Sequence, residues 1–349
     1  MRKAFRERYG SKLFTLFVII MMITVVYPTL ITNAKNPSQL SAYDNDWNDI
    51  SDFAADMDED QNGKHVIKTI VSRPAIINKI AEVEKNTTTQ TIETNSTVLV
   101  IIGVERSYSE FDSNAIYNFV KSGGKVIIAD DSGYGNSAFY GEMGTLEIGV
   151  KLRTNIVQKG CEPTTNTGLV DGALDAFGYD GSSGSSPKCK PAKLYDSNHW
   201  NEPIHPKNNS IAIIDADVPR MNFNGQLMMS SPSALTLQTG GAAEGLVWSS
   251  QQAFIDYNQN EIGGAGEGTY REDSTNGVEV VAEANIGNGT VIFISDTSIF
   301  TNEYYDDLDN REFILSMVNY VTGGEKHTLI FDESRHIQSD MLSLIYVQL

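Results

Sequence analysis

The turn after the apolar run Lys125–Ala129 reads Asp130-Asp131-Ser132-Gly133. A serine beside carboxylates, at the carboxyl end of a buried strand, could present a nucleophilic hydroxyl. The same end of a parallel sheet is also where ligands gather. A nucleophile elbow requires a glycine before the serine, and none stands there. A glycine-containing turn that merely ends a strand has the same composition. Asp130, Asp131 and Ser132 are therefore the general binding-site candidates, and hydrolysis at Ser132 is the one reaction the turn suggests.

Two carboxylate-rich segments point to calcium. Asp58, Asp60 and Asn62 alternate ahead of Gly63, as in the first half of an EF-hand loop. Position 12 of that loop is Thr69, so the bidentate glutamate is missing. Asp256, Asn258 and Asn260 alternate in the same way, with Glu267 at position 12 and Glu261 in place of the glycine. Oxygen ligands at alternate positions can converge on one hard cation, and solvated turns contain the same residues. No cofactor is expected from the sequence, and calcium is the one that these segments would admit. Glu333 and His336 have metal-ligand spacing if helical, but no second ligand pair lies nearby.

Cys161 and Cys189 are the only cysteines. Outside the cytoplasm they could pair across a Gly/Ser-rich loop, or remain two thiols. Glycosylation sequons begin at Asn86, Asn95, Asn208 and Asn288. The net charge is −19, and the first 32 residues hold five basic residues and one acid, so the remainder carries −23. A body this acidic repels phosphate backbones, which excludes nucleic acid as a partner.

Arg2, Lys3, Arg6, Arg8 and Lys12 precede an uncharged apolar run over residues 13–31. Its 19 residues, at about 1.5 Å of rise each, nearly span a hydrocarbon core. Basic residues ahead of it place that side in the cytoplasm and the rest outside. A cleavable signal ending at Thr32-Asn33-Ala34 is the rival reading, and it places the body outside as well. The nine residues 341–349 are apolar too, and read either as a core helix or as the start of a second membrane segment.

The elements that must position these groups follow from apolar periodicity. Residues 47–57 read as a short acidic helix, 65–71 as a strand, and 74–85 as a helix with Pro74 in its first turn. Residues 96–104 form an almost continuous apolar run, as in a strand covered on both faces. Residues 109–122 carry Phe111, Ala115, Ile116, Phe119 and Val120 at helical spacing, stopped by Gly123-Gly124. With the strand at Lys125–Ala129 this makes a βαβ unit. From about 133 to 205 the chain reads as an irregular insertion. Strands are expected at 210–214, 234–238, 245–249, 278–284 and 289–295, the last two joined around Gly287-Asn288-Gly289. A helix over 306–321 and a strand over 328–331 lead to Asp332-Glu333-Ser334-Arg335-His336. No internal repeat is apparent.

Three stretches together resemble a known pattern: STVLVIIGVERSYSEFDSNAIYNFVKSGGKVIIADDSGYGN, VVAEANIGNGTVIFISDTSIFTNEYYDDLDNREFILSMVNYVTGG and LIFDESRH. Their order and spacing resemble an uncharacterised family of membrane-anchored proteins, mostly archaeal and bacterial. That family carries a domain of unknown function on the class I glutamine amidotransferase-like, flavodoxin-like fold. The resemblance implies an α/β domain, a mostly parallel sheet flanked by helices, outside the membrane. It implies no reaction. An amidotransferase needs a cysteine on a sharp strand-to-helix turn with His and Glu beside it. Neither Cys161 nor Cys189 follows a buried strand.

The expected organisation is a basic stub and transmembrane anchor (1–32), a tether (33–40), an extracytoplasmic α/β domain (41–336) and a membrane-proximal tail (337–349). The expected role is a non-catalytic binding or scaffolding module, single-pass in the cell membrane, with envelope or membrane proteins as partners. The alternatives are a hydrolase using Asp130–Ser132 and a calcium-stabilised surface or adhesion protein.

Overall fold

In a computed structural model of the chain, the residues described are 40–43, 45–61, 63–70, 94–139, 148, 150–152, 193–195, 211–230, 232–237, 240–250, 253–256 and 277–336. Three helices occur among them: α1 (Ser51–Met57), α2 (Glu110–Lys121) and α3 (Asn310–Thr322). The strands are β1 (Val66–Ile70), β2 (Thr97–Ile102), β3 (Lys125–Ala129), β4 (Val150–Leu152), β5 (Lys193–Tyr195), β6 (Ile211–Val218) and β7 (Phe223–Ser230). They continue with β8 (Leu235–Leu237), β9 (Ala243–Trp248), β10 (Phe254–Asp256), β11 (Glu279–Ile286), β12 (Gly289–Ile294) and β13 (Thr328–Asp332).

One seven-stranded sheet organises the domain, in the order β1-β13-β2-β3-β12-β11-β9. The first five strands run parallel. β11 is antiparallel to both β12 and β9. The mostly parallel α/β sheet is thus as expected. Counted along the chain, the parallel strands stand 1-5-2-3-4, which is not the flavodoxin-like order 2-1-3-4-5. β5 and β10, β4 and β8, and β6 and β7 form three small antiparallel pairs.

Period-two burial explains the layers. On β2, Val98, Val100 and Ile102 face one core while Leu99 and Ile101 face the other. On β12, Ile292 and Ile294 oppose Val291 and Phe293 in the same way. The first core receives α1, α3 and the β6–β7 hairpin. Phe53 lies at its centre, with ring centroids 5.2 Å from Phe300 and 5.5 Å from Phe331. The second core receives α2 through Ile116, Tyr117, Phe119 and Val120. All six residues of β2 are buried, which accounts for the unbroken apolar run.

The local signals act where expected. The Ser109 side chain caps α2 by accepting from the Asp112 amide. Gly123, at φ 110°, ends it in a conformation that a side chain would strain. The helix α3 starts later than its periodicity suggests, because residues 301–309 are used in turns. Asn310 begins it, fully buried, bonding the Met228 amide and carbonyl at 2.9 Å each. That bond ties α3 to β7, a strand that sequence periodicity did not indicate. The acidic helix likewise starts at Ser51, with Trp47 in the preceding turn. The expected helix at 74–85 lies outside the described residues.

Candidate functional site

The carboxyl edge of the parallel strands is where a sheet of this kind holds ligands. Three of its strands end in the same way. Asp130 follows β3, Asp296 follows β12 and Asp332 ends β13, each with serine two residues later. Asp130 Oδ1 accepts from Ser132 Oγ at 2.6 Å and the Ser132 amide at 3.3 Å, while Oδ2 accepts from the Gly133 and Gly135 amides at 2.8 Å each. Asp296 Oδ1 accepts from the Ser298 amide at 2.7 Å and Oδ2 from Ser298 Oγ at 2.8 Å. Asp332 Oδ1 accepts from the Ser334 amide at 2.9 Å and Oδ2 from the Tyr108 hydroxyl at 2.8 Å. All three aspartates are buried.

The physical cause is common to the three turns. Where a central strand stops, amides leave the ladder inside the protein and need acceptors. A carboxylate at that point supplies several at once. Burial raises the carboxyl pKa of Asp130 and Asp332 above the usual range, partly offset by these hydrogen bonds. Burial pushes Asp296 up to about 7.

Beyond Asp332 the motif becomes a buried charged clamp. Arg335 Nη2 donates to Asp112 Oδ2 at 2.6 Å, and its guanidinium lies 4.8 Å from the centroid of the Tyr108 ring. This joins the end of β13 to the first turn of α2. His336 Nδ1 donates to Glu333 Oε2 at 3.0 Å and its Nε2 to the Ile102 carbonyl at 2.9 Å, which ties β13 to the end of β2. Burial works against the charged ring. The Glu333 hydrogen bond and charge, then the Ile102 carbonyl, outweigh it and raise His336 to about 9. The other carboxylate oxygen of Glu333 accepts the Ala42 amide at 2.9 Å. The Leu40 side chain lies over Gly103, where a Cβ would come within 1.9 Å of Leu40 Cδ1. The protein's own chain thus covers the end of β2.

The predicted site residues distribute as follows. Asp130 and Ser132 are brought together, with Asp131 partly exposed beside them. Ser132 Oγ also lies 3.0 Å from the Val104 carbonyl and accepts the Tyr134 amide at 3.2 Å. Asp58 Oδ1 accepts the Asp60 amide at 3.1 Å, so Asp58 caps its own turn. Asn62, Asn258, Asn260 and Glu267 lie outside the described residues, and Asp256 ends β10. Among the described residues no group of three or more His, Cys, Asp or Glu is placed to hold a metal ion. Cys161, Cys189, Asn86 and Asn208 also lie outside them, as do the apolar run at 13–31 and the tail. Among the described residues no helix is long and apolar enough to cross a membrane. Asn95 and Asn288 are exposed at the opposite, amino edge of the sheet.

Sequence reasoning missed Tyr108, Asp112, Asp296 and Arg335. The signal that could have found Asp296 was present. Asp-x-Ser follows an apolar strand three times, a recurrence too short to register as an internal repeat.

Residues 224–318 match a sequence family described as a domain of unknown function (DUF4350). No curated protein sequence matches the chain. Among solved structures, the mmIFT52 N-terminal domain is similar at 10% identity and a TM-score of 0.41, covering 73% of this chain and 96% of that one. A β-galactosidase from Bacillus circulans sp. alkalophilus is similar at 11% identity and a TM-score of 0.29, covering 66% of this chain and 23% of that one. A β-galactosidase from Rahnella sp. R3 aligns at 11% identity and a TM-score of 0.30, with 65% and 22% covered.

Proposed function

We propose that the chain is a membrane-anchored, extracytoplasmic module that binds or scaffolds other envelope or membrane proteins and catalyses no reaction. One observation carries this reading. The turn containing Ser132 is one of three strand-ending Asp-x-Ser turns, and in two of them the serine hydroxyl donates to the aspartate, so the Ser132 hydroxyl serves the fold. Asp130 receives four hydrogen bonds there, two on each oxygen, which commits both oxygens to the turn. Leu40, Glu333 and His336 occupy the neighbouring strand end that a ligand would otherwise approach. The match to a domain of unknown function is compatible with this role. The anchor is the apolar run at 13–31, and the acidic body lies on its far side.

The hydrolase reading retains one favourable fact, the 2.6 Å contact between Ser132 Oγ and the Asp130 carboxylate. Fluorophosphonate labelling of the full chain and of Ser132→Ala decides between the two. No labelling of either supports the proposal. Labelling that disappears with Ser132→Ala overturns it. The anchor is tested separately, by flotation of the full chain with vesicles through alkaline carbonate. For the calcium reading, a melting temperature equal in calcium and in chelator removes it.

A further inference from the structure

Three aromatic side chains are exposed among the described residues: Tyr43 at 65%, Trp47 at 67% and Phe111 at 65%. All three lie at the carboxyl end of the parallel sheet. Tyr43 follows Ala42, whose amide is held by Glu333 just past β13. The Trp47 carbonyl accepts the Glu303 amide at 2.8 Å, in the loop that leaves the carboxyl end of β12. Phe111 sits in the first turn of α2, beside the Asp112 that holds Arg335. They flank the edge from both sides, because residues 42–50 pack into one core and α2 into the other.

Both ends of the domain leave from this same edge. Leu40 lies over Gly103, and His336 bonds the Ile102 carbonyl one residue earlier. Only residues 337–340 separate His336 from the apolar stretch 341–349. Even fully extended, they let that stretch begin no more than about 17 Å away. Residues 32–39 separate Leu40 from the apolar run ending at Ile31. At the amino edge stand the exposed sequon residues Asn95 and Asn288. A Cβ on Gly123 would lie 3.0 Å from Asn95 Oδ1 and 3.7 Å from Asn288 Cβ.

We infer that the carboxyl edge is a lipid-facing surface, with Tyr43, Trp47 and Phe111 seated among headgroups and the sheet standing end-on to the bilayer. Aromatic rings with one apolar and one wet side favour that depth. The inference rests on the anchoring reading above. The surface selects its lipid. Asp46, Asp52, Glu110 and Glu303 are exposed beside the aromatics, so a zwitterionic headgroup layer fits and an anionic one is repelled.

The test uses the full chain with Cys161→Ser and Cys189→Ser, carrying a fluorophore at Phe111→Cys or at Asn288→Cys. It is reconstituted in phosphatidylcholine vesicles that contain nitroxide-headgroup lipid. Quenching is expected to be several-fold greater at 111 than at 288, and to weaken when phosphatidylglycerol replaces phosphatidylcholine at low salt. A second probe avoids labelling. With Trp200→Phe and Trp248→Phe, Trp47 emission should be quenched by headgroup-brominated phosphatidylcholine. Equal quenching at 111 and 288, or an unquenched Trp47, in a chain that floats with the vesicles overturns the end-on inference alone. A chain that does not float overturns the anchoring reading as well.

Discussion

Both ring nitrogens of His336 face acceptors, the Glu333 carboxylate and the Ile102 carbonyl, so the folded protein holds the ring as an imidazolium. Its pKa rises from 6.5 to about 9. A raised histidine contributes stability that is complete below pH 6.5 and is lost as pH climbs through about 9. The difference corresponds to roughly 3 kcal/mol, at about 1.4 kcal/mol for each pH unit. About 2 kcal/mol of it is lost between pH 7.5 and 9.5, which for a domain of this size is on the order of 4–7 °C in melting temperature. The assay is thermal unfolding of the full chain in detergent micelles, followed by near-ultraviolet circular dichroism from pH 7.5 to 9.5, beside the His336→Gln variant. The window is chosen to isolate this group. Asp296 has completed most of its titration by then, and burial keeps the Tyr108 and Tyr305 hydroxyls protonated beyond it. Lys125, lowered by burial, acts in the opposite direction in both proteins. His336→Gln should start less stable, because it leaves Glu333 buried without its cation, yet lose little more across the window. Equal slopes for the two proteins would falsify the assignment of the imidazolium.

Asp296 is also raised, so its folded form prefers the proton, and its stabilising contribution is lost as pH rises from 3.8 through about 7. Asp296→Asn should therefore stabilise the protein by about 2 kcal/mol at pH 8 and lose that advantage below pH 4, read from urea midpoints at both pH values. Gly103→Ala places a Cβ against Leu40 at φ 69° and should cost about 2–3 kcal/mol, with faster proteolysis near residue 40 as the second readout. Phe53→Ala empties the centre of the ring cluster formed with Phe300, Tyr305 and Phe331 and should cost about 3–5 kcal/mol by denaturant unfolding.

The parallel core was legible because its strands are buried on both faces. The runs at Thr97–Ile102 and Lys125–Ala129 can be read from composition alone. The helix α2 was legible for a different reason, since Ser109 and Gly123 mark its ends chemically. β7 was not. Gly225 and the polar residues around it break the alternation, and the strand is defined by its pairing with β6 and by Asn310, 82 residues from Met228. The clamp at Arg335 and His336 was invisible for the same reason. Asp112 and Ile102 are its partners, and no local pattern links them to the end of β13. Asp130–Ser132 was found, but its meaning depended on comparing three strand ends.

The position of β13 between β1 and β2 governs how the protein can be made. β1 pairs with β13, in a register that joins Val66 to Thr328, about 260 residues later in the chain. Until those residues have been synthesised, β1 lacks the neighbour that ties it to the sheet, and one side of β2 remains an open, apolar template. Contacts this distant form slowly and expose strand edges meanwhile. The sheet therefore cannot close until β13 has been made, and a chain arrested before residue 328 should be a substrate for quality-control proteases.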